Sequence, residues 1–262
     1  MYKYVISNEK GGVAKTTTTI NVAAGMARSG KTVLVVDMDA QASATSVLVG
    51  HKQAAVNIYH LLKDQKHQIP VDTAIQETSE PGVFIIPGGP QLANAEVEFI
   101  KYIDNQRLLL NRLQEVDAAY SFDFVVVDSP PRSILLNRNC LFAADEVIVP
   151  VFTDLFSIEG IVDLIDDISL IAQSRGKKIE VGFLLCRVER TKSAQQISQE
   201  LREVYGHHVF HTMIPKNVDV SDAHGAHVSV LTYAPASTGA VAYQQLAQEM
   251  LTRYDQQAVT HA

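Results

Sequence analysis

The residues Asn8-Glu9-Lys10-Gly11-Gly12-Val13-Ala14-Lys15-Thr16-Thr17 follow a short apolar run, Tyr4-Val5-Ile6. An apolar strand, a glycine-bearing turn and Lys-Thr-Thr opening a helix form the layout of a phosphate-binding loop. A tight turn aims several backbone N–H groups at one point, and a helix N-terminus adds the positive end of its dipole. Lys15 would reach the β/γ-phosphates of ATP, and the Thr16 hydroxyl would sit on Mg²⁺. Gly11, Gly12, Val13, Ala14 and Thr17 complete the expected cradle. The usual pattern G-x-x-x-x-G-K-[ST] is not met, because Glu9 and Ala14 stand where it wants glycine. A second lysine, Lys10, comes directly before the glycine pair. A methyl at Ala14 is expected to crowd the phosphates, where glycine lets the backbone approach.

Acidic residues at strand ends supply the rest of the chemistry. Asp37 and Asp39 follow the apolar run Thr32–Val36, and Asp128 ends Phe124-Val125-Val126-Val127-Asp128-Ser129-Pro130-Pro131. Two carboxylates at the carboxyl end of a buried strand could hold metal-bound waters and orient an attacking water. The alternative is a pair of loop aspartates capping a helix that starts near Ser43. Four apolar residues and an acid, as at Asp128, describe a strand whose aspartate binds Mg²⁺ through water. A strand-end acid before an ordinary turn is the competing reading.

Elements that would position these residues alternate along the chain. Strands are expected at 3–7, 32–36, 83–86, 124–127, 146–149 and 181–185, and helices at 15–29, 92–118, 157–174, 193–205 and 238–256. The strands are continuously apolar and β-branched, as strands buried on both faces are. Such alternation predicts an α/β fold: a mostly parallel twisted sheet with helices on both faces and ligands at the carboxyl ends of the strands. No repeat or linker divides the chain, so residues 1–262 are expected to form one domain.

The combination Lys-Gly-Gly-x-x-Lys-Thr, with the Asp-x-Asp and strand-end aspartates in this order, resembles the deviant Walker A loop of the ParA/MinD family of ATPases, a P-loop NTPase fold. The resemblance covers nearly the whole chain. It implies that Lys10 reaches across a dimer interface formed with ATP and that Asp39 positions the nucleophilic water. It also implies that Asp37 supports the metal shell with Thr16 and Asp128. Ala40 stands where the family usually has proline. Phe156-Ser157-Ile158-Glu159-Gly160 resembles a helix opening at the dimer contact. Pro215-Lys216-Asn217 resembles the Pro-x-Asn element that cups adenine, with Pro215 and Asn217 as its binding residues. Partition members bind DNA non-specifically, and Arg190 matches the arginine of the family's Arg-Thr element; Arg187, Lys192 and Lys216 are looser assignments to the same patch. A solvated loop is the competing reading of that patch. A ParB-like or other cargo adaptor would stimulate hydrolysis, in a cytoplasmic, nucleoid-associated protein. Two other functions remain open: a P-loop ligase acting on a small carboxylate, and a positioning ATPase on a surface other than DNA.

Composition bounds these readings. With 262 residues, 47% hydrophobic and 19% charged, the chain matches a globular domain with a sizeable core. The formal charge of −7 excludes a uniformly basic nucleic-acid binder while leaving room for a local patch. No apolar run approaches the ~20 residues of a membrane span. The first strand is expected to begin at once, so no signal peptide is expected. No helix-turn-helix extension precedes the loop, and the tail from Thr252 lacks the apolar face and basic stripe of a membrane-surface helix. Cys140 and Cys186 lie in apolar stretches and read as buried thiols rather than a disulfide. The histidines, including His207, His208, His211, His224 and His227, fit no common zinc spacing and read as surface residues.

Overall fold

In the computed structural model, residues 1–50, 54–131, 133–153 and 161–260 are described. Seven strands form one sheet: β1 (Tyr2–Ile6), β2 (Val33–Asp37), β3 (Gln76–Glu77), β4 (Val83–Ile86), β5 (Phe124–Asp128), β6 (Glu146–Phe152) and β7 (Glu180–Cys186), in the order β3-β4-β2-β5-β1-β6-β7. All neighbours are parallel except β3 with β4. The helices are α1 (Lys15–Arg28), α2 (Ser43–Val49), α3 (Ile58–Lys63), α4 (Ala95–Phe99), α5 (Leu108–Ala119), α6 (Ile134–Ala143), α7 (Ile161–Arg175), α8 (Lys192–Tyr205), α9 (Val218–Gly225), α10 (Val230–Tyr233) and α11 (Thr238–Thr260).

The period-2 alternation of the strands sends their side chains into two cores. Val5, Leu34, Val125, Val127 and Val147 face α3, α5, α6 and α7. Tyr4, Ile6, Val33, Val35, Val126 and Ile148 face α1, α2, α10 and α11. The mostly parallel sheet with helices on both faces is therefore as the residues imply. Helix α1, which carries Lys15 and Thr16, is clamped by α11. A Cβ added at Gly25 would sit 2.7 Å from the Ala247 Cβ, so only glycine permits this approach.

The helix expected over 92–118 is broken in the structure. A 3₁₀ turn, Pro90–Asn94, leads into α4, and turns follow until α5 starts at Leu108. Asp104 takes a left-handed φ of 55°, which a continuing helix cannot contain, and the Asn105 side chain donates to the Ile100 carbonyl at 2.9 Å. These local bonds compete with the helix ladder. At the other end of the chain α11 runs on to Thr260. Among the described residues no helix is long and apolar enough to cross a membrane. Positions 156–160, with their expected helix opening, lie outside the described residues. Both cysteines are buried and free.

Glu146, first residue of β6 and 2% exposed, sits at the amino end of the sheet beside Tyr2, Arg253 and, across the ladder, Glu180. Burial pushes its carboxyl up to about 7; Arg253 opposes this and Glu180 adds to it. An acid whose folded pKa is raised binds more protons folded than unfolded, so its contribution favours folding below about 4.5 and is lost as pH rises through 7. Glu146→Gln is expected to be more stable than the parent at pH 8, by at most roughly 3 kcal/mol, with the gap closing towards pH 5. Denaturant titrations at the two pH values check this; an equal gap at both would refute it.

Candidate functional site

β5 lies between β1 and β2, so the carboxyl ends of three strands meet, with Ile6 and Asp37 both in register with Asp128. The phosphate-loop candidate leaves β1 at that point. Its shape is held by Asn8, whose side-chain amide donates to the Pro150 carbonyl at 2.9 Å and whose Oδ1 accepts the Lys10 N–H at 2.9 Å. Val13 is buried beneath the loop. Gly12 has φ 76°, and an added Cβ at Gly11 or Gly12 would meet no atom within 4 Å. Packing therefore demands neither glycine; the left-handed turn asks for one at Gly12, and both line open space.

Ala14 is the N-cap of α1, with φ 65° and ψ 25°. The cost of this alanine lies in that left-handed backbone, which disfavours any Cβ by roughly 1–2 kcal/mol. The position asks for glycine on conformational grounds, a different reason from the crowding of phosphates expected from sequence.

Lys15 is 7% exposed, and its Nζ donates to the carbonyls of Asn8 at 2.8 Å and Lys10 at 3.1 Å. Burial lowers its pKa, while Asp128 and Asp39 support the charge. The Thr16 hydroxyl donates to Asp128 Oδ2 at 2.7 Å, and the Thr19 hydroxyl to Oδ1 at 3.4 Å. Burial and the neighbouring Asp37 raise the Asp128 pKa well above the carboxylate range, against the Thr16 bond. Directly after it, the Ser129 hydroxyl is buried with no hydrogen-bond partner among the described residues.

The two aspartates after β2 divide their work. Asp37 is fully buried, and its carboxylate accepts the Thr45 N–H at 2.9 Å, the Thr45 hydroxyl at 2.7 Å and the Asp39 N–H at 3.1 Å. Burial pushes its pKa up to about 6 against those bonds. It thus ties the loop to α2, and the Thr45 hydroxyl accepts in turn from the Gly88 N–H at 2.9 Å. A Cβ at Gly88 would fall 2.9 Å from Asp37 Cγ, so the loop after β4 closes over it. Asp39 lines the adjoining cavity instead.

That cavity has a volume of about 580 Å³ and joins both halves of the expected site. Gly11, Gly12, Ala14, Lys15, Thr16, Thr17 and Asp39 line one end; Pro215, Lys216 and Asn217 line the other, 200 residues on in the chain. Asn217 caps α9, its Oδ1 accepting the Val220 N–H at 3.2 Å and its Nδ2 donating to Thr238 at 3.0 Å. Val220, Ser221 and His224, one face of α9, also line the cavity. Sequence reading did not select Thr45, Asn8, Thr19, Phe152 or this helix face. The Gly88-Gly89 pair after β4 was the one local signal of a close approach.

The basic residues lie in one region, Arg187, Arg190 and Lys192 all exposed, but differ in their partners. Arg190 and Lys192 are exposed at the start of α8, while Lys216 pairs with Glu189 at 2.7 Å. Arg187 has φ 52°, lies over the Phe152 ring at 5.1 Å, and lines the cavity. Among the described residues no group of three or more His, Cys, Asp or Glu side chains converges as a metal cage. Chemically the site offers a glycine turn, a helix N-terminus, a buried ammonium and hard oxygens from Thr16 and Asp128. Such a donor set suits a phosphate chain and a hard divalent cation that keeps much of its water.

Fold and site together define a P-loop nucleotide-binding protein. Residues 1–181 match the family described as AAA domain. The chain is 35% identical over 249 residues to the sporulation initiation inhibitor protein Soj of Bacillus subtilis, covering 94% of this chain and 96% of that one. It is 35% identical over 253 residues to the chromosome-partitioning ATPase Soj of Thermus thermophilus, covering 96% of each. The chain belongs to the Soj/ParA family. Its fold is also that of cobyrinic acid a,c-diamide synthase from Mycobacterium smegmatis, solved with bound ADP and magnesium: TM-score 0.83, 26% identity, covering 97% of this chain and 95% of the synthase.

The left-handed Ala14 gives a direct test. Ala14→Gly is expected to raise stability by about 1 kcal/mol, roughly 2–4 °C in melting temperature for a chain of this size. A thermal melt showing Ala14→Gly no more stable than the parent would contradict the assignment.

Proposed function

We propose that this protein is a Mg²⁺-dependent ATPase that dimerises around ATP, binds DNA non-specifically as the dimer, and positions a cargo. Stimulation of hydrolysis by a ParB-like adaptor would release it. One observation carries the reading. Lys15 and Lys10 share a loop, yet Lys15 lines the cavity and Lys10 is not among its lining residues, although Gly11 beside it is. A second lysine on the phosphate loop that does not line its own subunit's cavity suits a partner subunit's nucleotide.

Within the subunit, Lys15 would exchange its two carbonyl partners for phosphate oxygens, placing a preorganised charge where negative charge develops. Thr16 and Asp128 would hold Mg²⁺, which when bound neutralises phosphate charge. Asp39 would orient the attacking water, and Asp37 would fix the loop that carries Asp39. The Pro215–Asn217 end of the cavity would take the adenine. Supporting the reading are family membership, the ATPase named among its relatives, and the ADP and magnesium in the synthase of the same fold. The synthase also keeps a second reading in view, a ligase that would have no use for Lys10 in trans.

Lys10→Ala is expected to abolish ATP-dependent dimerisation and to cut turnover at least tenfold while leaving ATP binding intact. Analytical ultracentrifugation with Mg²⁺-ATP, together with phosphate release, reads both; unchanged dimerisation and turnover would sink the dimer reading. For DNA, Arg190→Glu is expected to abolish the mobility shift at saturating ATP without loss of the dimer. Contacts of this kind weaken steeply with salt, each phosphate contact contributing about 0.9 to the slope of log K against log salt. No shift by the parent at any low salt would remove DNA from the proposal.

A further inference from the structure

Arg187 was grouped by sequence with the DNA patch, yet its surroundings belong to the nucleotide cavity. It follows β7 in a left-handed conformation, φ 52°, that a non-glycine residue adopts only at a cost. Its guanidinium lies over the Phe152 ring, 5.1 Å from the centroid, and both residues line the 580 Å³ cavity. They also line a second cavity, of about 320 Å³, that contains Glu189 and Thr191. Arg187 and Phe152 therefore form the wall between the two spaces. Its neighbour Lys216 also lines the larger cavity, with its ammonium paired to Glu189.

Position along the sheet says which part of a nucleotide this wall would meet. The phosphate loop leaves β1, and β7 lies two strands away across β6; at about 4.8 Å per strand that is roughly 10 Å. Beyond β7 the chain bonds to the segment carrying Pro215: the Val188 N–H donates to the Ile214 carbonyl at 3.0 Å, and the Lys216 N–H to the Val188 carbonyl at 3.2 Å. Arg187 thus stands at the end of the cavity remote from Lys15. A guanidinium that lies over one aromatic ring can offer a planar face to a further π-system, which a lysine ammonium does not supply.

We infer that Arg187, whose guanidinium lies over Phe152, is a nucleotide-binding residue that stacks on the base. This rests on the ATP-binding reading above. Binding of ATP is measured by calorimetry for the parent, Arg187→Ala, Arg187→Lys and Arg187→Gly, the last removing the side chain while suiting the left-handed backbone. ATP dissociation constants are expected to rise about tenfold in Arg187→Ala and Arg187→Gly, with little recovery in Arg187→Lys. Inhibition by inorganic tripolyphosphate, which carries no base, is expected to stay within twofold. DNA shifts at saturating ATP are expected to match the parent. The inference is overturned by an ATP affinity insensitive to Arg187, by an equal loss for tripolyphosphate, or by a loss of DNA binding with ATP affinity intact. Absence of ATP binding by the parent would instead bring down the underlying nucleotide reading.

Discussion

Buried like charge at one corner of the sheet constrains the rest of the site. Asp37 and Asp128 are neighbours in the β2–β5 ladder, at 0% and 1% exposure. Removing a carboxylate from water costs several kcal/mol unless hydrogen bonds and opposite charge offset it. The offsets are visible around each: Thr16 and Thr19 on Asp128, Thr45 and the Asp39 N–H on Asp37, and Lys15 alongside. Even so, both carboxyls are held above their usual range. A corner of this kind favours a further cation, so the burial that strains the protein also defines what it can hold.

The loop facing that corner is built from its own backbone. Asn8 fastens it to β6 and to Lys10, Lys15 is held by two loop carbonyls, and Gly25 lets α11 press on α1 from behind. The loop's shape is held before a ligand arrives, and preorganisation of that kind is where electrostatic stabilisation gains its strength. Ala14 shows the limit of the design: the turn keeps its left-handed shape although the residue there resists it.

Fold alone does not choose among activities here. A synthase and a partitioning ATPase share this architecture, and the synthase superimposes at a TM-score of 0.83. Function has to be argued from the site. Lys10 is the residue on which the proposed readings part, since the ligase reading gives it no role and the dimer reading would send it to the partner's nucleotide. Arg187 sharpens the same point: residue type suggested one ligand and its neighbours another.

Patterns with short periods were legible in the sequence. The strands, α1, the order of the aspartates and the phosphate loop all follow from residues adjacent in the chain: alternation, β-branching, a glycine pair and a lysine before threonines. Pro215–Asn217 was singled out by its place in the order, and it lines the cavity. Tertiary structure alone decided what depends on distant partners. The helix over 92–118 gave way to α4 and α5 around Asp104 and Asn105. Asp37 turned to Thr45 rather than to the cavity, because Gly88 from another loop closed over it. Arg187 went to Phe152, 35 positions earlier. A side chain's type fixes which partners it can satisfy; only packing fixes which of them come within 3 Å.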